Sequence, residues 1–208
     1  MNNLAYSTQN PEEVASKVEE IIRKDLNETN PVSYKIEKEA NADASMGTIL
    51  KDSLTHIFGG KESLLFSIVF ETQNPRPAKI IVHLNRQGVG CHAGSIIFTT
   101  NLKKSVKSEV AFEEPKFLGT SKFTGDAEAI TKLNSNKDLL KLADKFAKVK
   151  ANMGGVDLTI NRFCKITPAE SGSNLVINTL AKSTSMGFSA TTEAKMFFDI
   201  ANLMESVL

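Results

Sequence analysis

The fold is decided by residues 62–101, which read ESLLFSIVFETQNPRPAKIIVHLNRQGVGCHAGSIIFTTN. Apolar and polar side chains alternate here with the period of two that is typical of β-strands. One strand of this type ends before the Asn74-Pro75 turn, a second follows that turn, and a third is predicted over 95–100. Because the connections are short, the stretch predicts an antiparallel meander with one strongly apolar face and one mixed face.

Amphipathic helices are predicted on both sides of this meander. The first spans 11–26, because Asn10 can cap it and Pro11 suits its first position. Apolar side chains also recur at helical spacing over 46–58, over 126–133 and from about 190 to the C-terminus. Ser135 with Asp138 matches a capping box that opens another helix reaching about residue 150.

Further strands are predicted over 32–37, 156–166 and 174–182, where the period is again two. We therefore expect an α+β fold of antiparallel sheet or sheets, with amphipathic helices packed mainly on one face. Residues 1–208 are interpreted as a single domain. The weakly patterned segment 102–115 is the place where a boundary between two subdomains would fall.

The composition excludes several classes of protein. The chain has 208 residues, 25 basic and 24 acidic side chains, and a net charge of +1, which argues against nucleic acid as a partner. No apolar run is long enough to span a bilayer, and residues 1–9 lack the order of a secretory signal, so we expect no membrane association and a cytoplasmic location. Cys91 and Cys164 are expected to be free thiols.

Residues 87–94 form a glycine-rich segment that contains the candidate catalytic pair, Cys91 and His92. A thiol beside an imidazole is one arrangement for nucleophilic catalysis, and glycines let backbone N–H groups converge on an anion. However, a strand rather than a helix follows, which is the wrong context for a phosphate loop. The favoured interpretation is a hairpin connection that needs glycine conformations, and no cofactor is predicted.

A metal site would have to combine His83, Cys91 and His92 with Cys164 or His56. Zinc sites usually contain paired ligands two to four residues apart, and the chain has no two such pairs. The sequence therefore predicts no metal.

Arg162 interrupts an apolar face in the predicted strand 156–166. One alternative is a buried guanidinium that binds a carboxylate or phosphate group, since an unpaired buried charge is costly. The other is a β-bulge near 161–163 that turns Arg162 outward and Phe163 inward. The second alternative costs less and is favoured.

The C-terminal helix is apolar over a wide arc, which indicates burial on more than one side. The favoured explanation is burial between the sheet and a neighbouring helix of the same chain, and the alternative is burial against a second chain. The candidate interface side chains form one stripe together with a neighbouring aromatic residue: Phe197, Phe198, Ala201, Met204 and Leu208.

Three functions remain open at this point. The favoured one is a non-catalytic cytoplasmic module that binds a protein partner or associates with itself through the C-terminal helix. The second is a small-molecule or lipid-binding domain, with a pocket between the sheet and Phe198 and with Arg162 as a polar anchor. The third is a thiol-dependent or metal-dependent enzyme centred on Cys91 and His92.

Overall fold

A computed structural model of the chain describes residues 5–27, 32–38, 64–87, 89–113, 121–147, 149–153, 156–160, 163–180, 183–184, 187–188 and 194–208. It contains an antiparallel sheet of nine strands, and four helices lie within the described ranges. The predicted α+β class with an antiparallel sheet is therefore confirmed. The predicted helix over 46–58, with His56, and the candidate residue Arg162 lie outside the described residues.

The main sheet contains β1 (Ala5–Tyr6), β2 (Ser33–Lys38), β3 (Leu64–Thr72), β4 (Ala78–Gln87), β5 (Gly90–Leu102), β6 (Val110–Glu113), β7 (Lys122–Gly125), β10 (Phe163–Pro168) and β11 (Ser173–Leu180). Two smaller sheets pair β8 (Val149–Met153) with β9 (Val156–Ile160) and β12 (Ser183–Thr184) with β13 (Gly187–Phe188). The helices are α1 (Pro11–Leu26), α2 (Ala127–Ser135), α3 (Lys137–Ala147) and α4 (Ala194–Val207).

The strand order in the main sheet is β2-β3-β4-β5-β11-β10-β6-β7. The predicted meander is present as β3, β4 and β5, and β2 extends it on one side. On the other side, the β10–β11 hairpin lies between β5 and β6, although it comes later in the chain. Strand β1 pairs with Cys91 and His92 of β5, beyond the end of β11. The strands before and after segment 102–115 therefore belong to one sheet.

One face of the main sheet, which we call the inner face, carries the apolar residues that pack into the core. On this face, Phe98 of β5 packs against two aromatic residues of α4. The ring centroids of Phe197 and Phe198 lie 5.4 and 5.0 Å from the centroid of Phe98. Helix α1 adds Val14, Ala15, Val18, Ile21 and Ile22 to the same core. We call the opposite face the outer face.

Local signals place the helix ends. The Asn10 side chain accepts hydrogen bonds from the backbone N–H groups of Glu12 and Glu13, as a cap should. The predicted capping box at Ser135 is replaced by Asn136, whose side chain accepts a bond of 2.9 Å from the Leu139 N–H. Ser135 instead ends α2. Helix α3 ends at Ala147, so the helix expected to reach residue 150 gives way to β8.

In two segments, the observed strands differ from the predicted structure. Most of the glycine-rich segment is strand rather than connection, because β1 and β4 supply backbone partners to β5 from Gly90 onward. A register shift after His83 accommodates Gly94, where any Cβ atom would collide with the Asn85 side chain. The single strand predicted over 156–166 is two strands, β9 and β10, which belong to different sheets.

Candidate functional site

The candidate nucleophile Cys91 lies in the core. Its side chain is fully buried, and its thiol donates a hydrogen bond of 3.3 Å to the Thr8 carbonyl. Burial raises the pKa of the Cys91 thiol to about 11, so the thiol is protonated near neutral pH. The His92 side chain is outside the described part of the structure. The arrangement around Cys91 is that of a structural thiol.

Two further candidates for metal binding, Cys164 and His83, lie on opposite faces of the sheet. Cys164 is buried among inner-face residues, and burial raises its pKa to about 12. His83 lies on the outer face and bonds through Nδ1 to the Ser67 hydroxyl, 2.7 Å away. Among the described residues, no group of three or more His, Cys, Asp or Glu side chains is arranged to hold a metal ion.

The candidate interface residues of α4 are mostly interior. Phe197, Phe198, Ala201 and Met204 are buried within the chain itself, and Leu208 is half-buried. Two aromatic rings fill the space between Phe98 and the helix, where the sequence predicts a ligand pocket. The sheet and the other helices of the same chain therefore contribute to the burial of this stripe.

A groove crosses the outer face at one end of the sheet, and we call it the outer groove. Its volume is about 470 Å³, which is within the range of ligand-binding sites. Five neighbouring strands contribute to its lining: β3, β4, β5, β11 and β10. The side chains that it exposes in full or in part are Glu71, Gln73, Pro77, Lys79, Thr99, Asn101, Thr167, Asn174 and Val176.

The strand register aligns these side chains in two rows. In the first row, Lys79 lies opposite both Glu71 and Thr99, and Thr99 lies opposite Val176. In the second row, Asn174 lies opposite both Asn101 and Thr167. Directly opposite residues point to the same face of a sheet, so the two rows form one continuous surface.

The described lining of the outer groove carries no net charge, because its one lysine is balanced by one glutamate. Lys79 and Glu71 form a cross-strand ion pair of 3.2 Å at one end, and both side chains remain about half exposed. The other exposed or half-buried lining side chains are amides and hydroxyls, together with Pro77 and Val176. Amides and hydroxyls both donate and accept hydrogen bonds, so the surface matches a neutral ligand that does the same.

The rim of the groove is tied to α4 through Arg76. The Arg76 guanidinium donates to the Glu205 carboxylate at 2.6 Å, to Asn202 at 3.4 Å and to the backbone carbonyl of Asn101. The second carboxylate oxygen of Glu205 accepts from the Lys103 N–H at 2.8 Å. The two terminal nitrogens of Arg76 thus link the end of β5 to α4.

Sequence patterns do not single out the residues of the outer groove. The alternation in β5 gives a partial signal, because it places Thr99 and Asn101, two uncharged polar residues, on the mixed face of the predicted meander. Thr167 and Asn174 give no such signal, since their position beside β5 depends on a pairing between distant parts of the chain.

Comparison of the chain with family models, with curated proteins and with solved structures gives no match. Within the described helices, none is long and apolar enough to cross a membrane.

Proposed function

We propose that this protein is a non-catalytic binding module that holds a neutral, extended segment of a partner protein in the outer groove. The observation that carries the proposal is the pair of register-aligned rows on the outer face, in which Thr99, Asn101, Thr167 and Asn174 supply hydroxyl and amide groups. A cytoplasmic location belongs to the same proposal, because both described cysteines are free thiols.

The dimensions favour a chain-like ligand. Five strands contribute to the groove, and strands in a sheet are spaced by about 4.8 Å, so the groove is roughly 19 Å long. An extended peptide advances by about 3.3 Å per residue, and roughly six residues therefore span the groove.

The lining favours a peptide over other ligands. Sugar-binding and nucleic-acid-binding surfaces commonly stack their ligands on aromatic rings, whereas none of the described groove residues is aromatic. A lipid would leave the amide side chains Asn101 and Asn174 without partners. Peptide main chains supply both donors and acceptors, and small side chains can rest against Val176.

A display experiment tests this proposal. A random dodecapeptide library is selected on the immobilised chain, and the enriched peptides are measured by fluorescence polarisation against wild type, Asn174→Arg and Ser16→Arg. Both variants add one positive charge, but Ser16 is exposed on α1, away from the groove. We expect Asn174→Arg to weaken binding about tenfold or more, because it places a long unpaired charge in the groove.

Ser16→Arg should bind the selected peptides as wild type does. Enrichment of no peptide, or equal binding to wild type and Asn174→Arg, would show that the groove is not a peptide site. Cellohexaose is added as a competitor at a concentration that does not displace peptide from a control protein. Displacement of the peptide from this protein would indicate a carbohydrate ligand and would overturn the peptide assignment.

A further inference from the structure

Arg76 and Glu205 together hold the end of β5. Arg76 lies in the connection between β3 and β4, and Glu205 lies in the last turns of α4. Arg76 donates to the Asn101 carbonyl, and Glu205 accepts from the Lys103 N–H at 2.8 Å. The two backbone groups flank Leu102, which is fully buried. One ion pair therefore fixes the backbone on both sides of a core residue.

This position matters for the outer groove. Asn101 presents its side chain to the groove while its carbonyl is bound by Arg76, and Thr99 precedes it on the same strand face. Helix α4 is anchored in the core by Phe197 and Phe198. The ion pair thus connects a rigid helix to the strand end that carries two groove residues.

The Arg76–Glu205 ion pair is better suited to fixing the position of the backbone than to stabilising the fold. The side chains of Arg76 and Glu205 are only 13% and 21% exposed, so both charges lose most of their hydration. In addition, the Nε of Arg76 is buried and has no hydrogen-bond partner among the residues that the structure describes. Desolvation of this kind offsets most of the Coulombic attraction, so the pair contributes little net stability.

We propose that Arg76 and Glu205 are positioning residues for ligand binding, which hold Asn101 and Thr99 at the geometry that the ligand requires. This inference rests on the proposed function of the outer groove. The two residues act through the backbone of β5 and not through contact with the ligand.

The main test replaces both charges at once, as Arg76→Met with Glu205→Leu, so that neither is left unpaired. The probe is a dodecapeptide that was selected on wild type and whose binding Asn174→Arg weakens. We expect a thermal midpoint close to that of wild type, faster hydrogen exchange at the Lys103 amide, and about tenfold weaker peptide binding. The matched control removes the exposed α4 ion pair, as Lys195→Met with Asp199→Leu, and should bind normally.

A second variant covers the case in which the double variant does not fold. Arg76→Lys keeps the charge, but an ammonium group cannot reproduce the planar arrangement in which Nη2 donates to Asn101 and Glu205 while Nη1 donates to Asn202. We therefore expect a roughly threefold or greater loss of affinity. Wild-type affinity in either folded variant would overturn the inference while leaving the peptide site intact. Absence of any peptide that Asn174→Arg weakens would instead overturn the proposed function.

Discussion

At the scale of single residues, His83 has an ionisation that its surroundings oppose. Ser67, His83 and Ser95 lie side by side on the outer face of β3, β4 and β5, and both serines are almost completely buried. Burial lowers the pKa of His83, and the negative charge of Glu37 partly opposes that shift. The neutral imidazole is thus the form that the fold prefers.

The stability of the protein should consequently fall in mild acid. The pKa of His83 in the unfolded chain is about 6.5, so below that pH the unfolded state binds a proton that the folded state resists. We expect the free energy of unfolding of wild type to decrease as the pH falls from about 6.5 to the lower pKa that His83 has in the folded protein. The His83→Gln variant should lose less stability over the same pH range. Urea unfolding between neutral and mildly acidic pH provides the comparison.

Glu37→Gln is the matched variant for this prediction. Removal of the opposing negative charge should lower the pKa of His83 further, which NMR titration of the imidazole protons can follow. A wild-type midpoint above that of an exposed histidine would contradict the assignment, since it would mean that Glu37 outweighs burial.

At the scale of elements, a side chain of α2 binds the backbone of β7 at the edge of the sheet. The Asn134 amide of α2 accepts from the Phe123 N–H and donates to the Phe123 carbonyl, both at 2.8 Å. An amide side chain thereby satisfies two backbone groups as a neighbouring strand would. Exposed strand edges promote intermolecular pairing, so we expect the Asn134 side chain to reduce aggregation.

Asn134→Ala should destabilise the protein by about 1–3 kcal/mol, because it leaves a donor and an acceptor of Phe123 without protein partners. The same variant should aggregate faster, as followed by light scattering near the unfolding transition. Thr131→Ala is the control, since Thr131 is exposed one turn earlier on α2 and alanine suits a helix. Equal stability of Asn134→Ala and wild type would argue against edge protection.

At the scale of the whole molecule, α4 and the inner sheet face form the centre of the core. Phe98 contacts both Phe197 and Phe198, and helices α1, α2 and α3 also contact α4. The predicted partner interface of α4 coincides with this packing. Only the exposed and half-buried residues of α4 are accessible to a partner protein.

Phe198→Ala distinguishes the two roles of the helix. If Phe198 is a core residue, the variant should lose about 3–5 kcal/mol of unfolding free energy, because truncation leaves a cavity beside Phe98. Lys195→Ala, on the exposed side of α4, should change stability by no more than about 0.5 kcal/mol. Unchanged stability in chemical denaturation together with a reduced particle mass in light scattering would instead mark Phe198 as part of an interface between copies.

The groove is encoded only in part by local sequence. The alternation in β5 is enough to place Thr99 and Asn101 on a polar strand face. Their neighbours Asn174 and Thr167 arrive from a hairpin more than sixty residues away, and no local pattern encodes which strand it will join. For the same reason, periodicity predicts a single strand over 156–166 and gives no signal for β7.

By itself, the amino-acid sequence determined the local elements: the capped helix α1, the meander of β3 to β5, and the α+β class, because periodicity and capping act between residues near in the chain. Only the tertiary structure decided that α4 buries its aromatic residues against Phe98, that Cys91 is sealed in the core, and that five strands assemble one polar groove. Those outcomes depend on pairing and packing between distant segments, whose free energy is shared across the whole core.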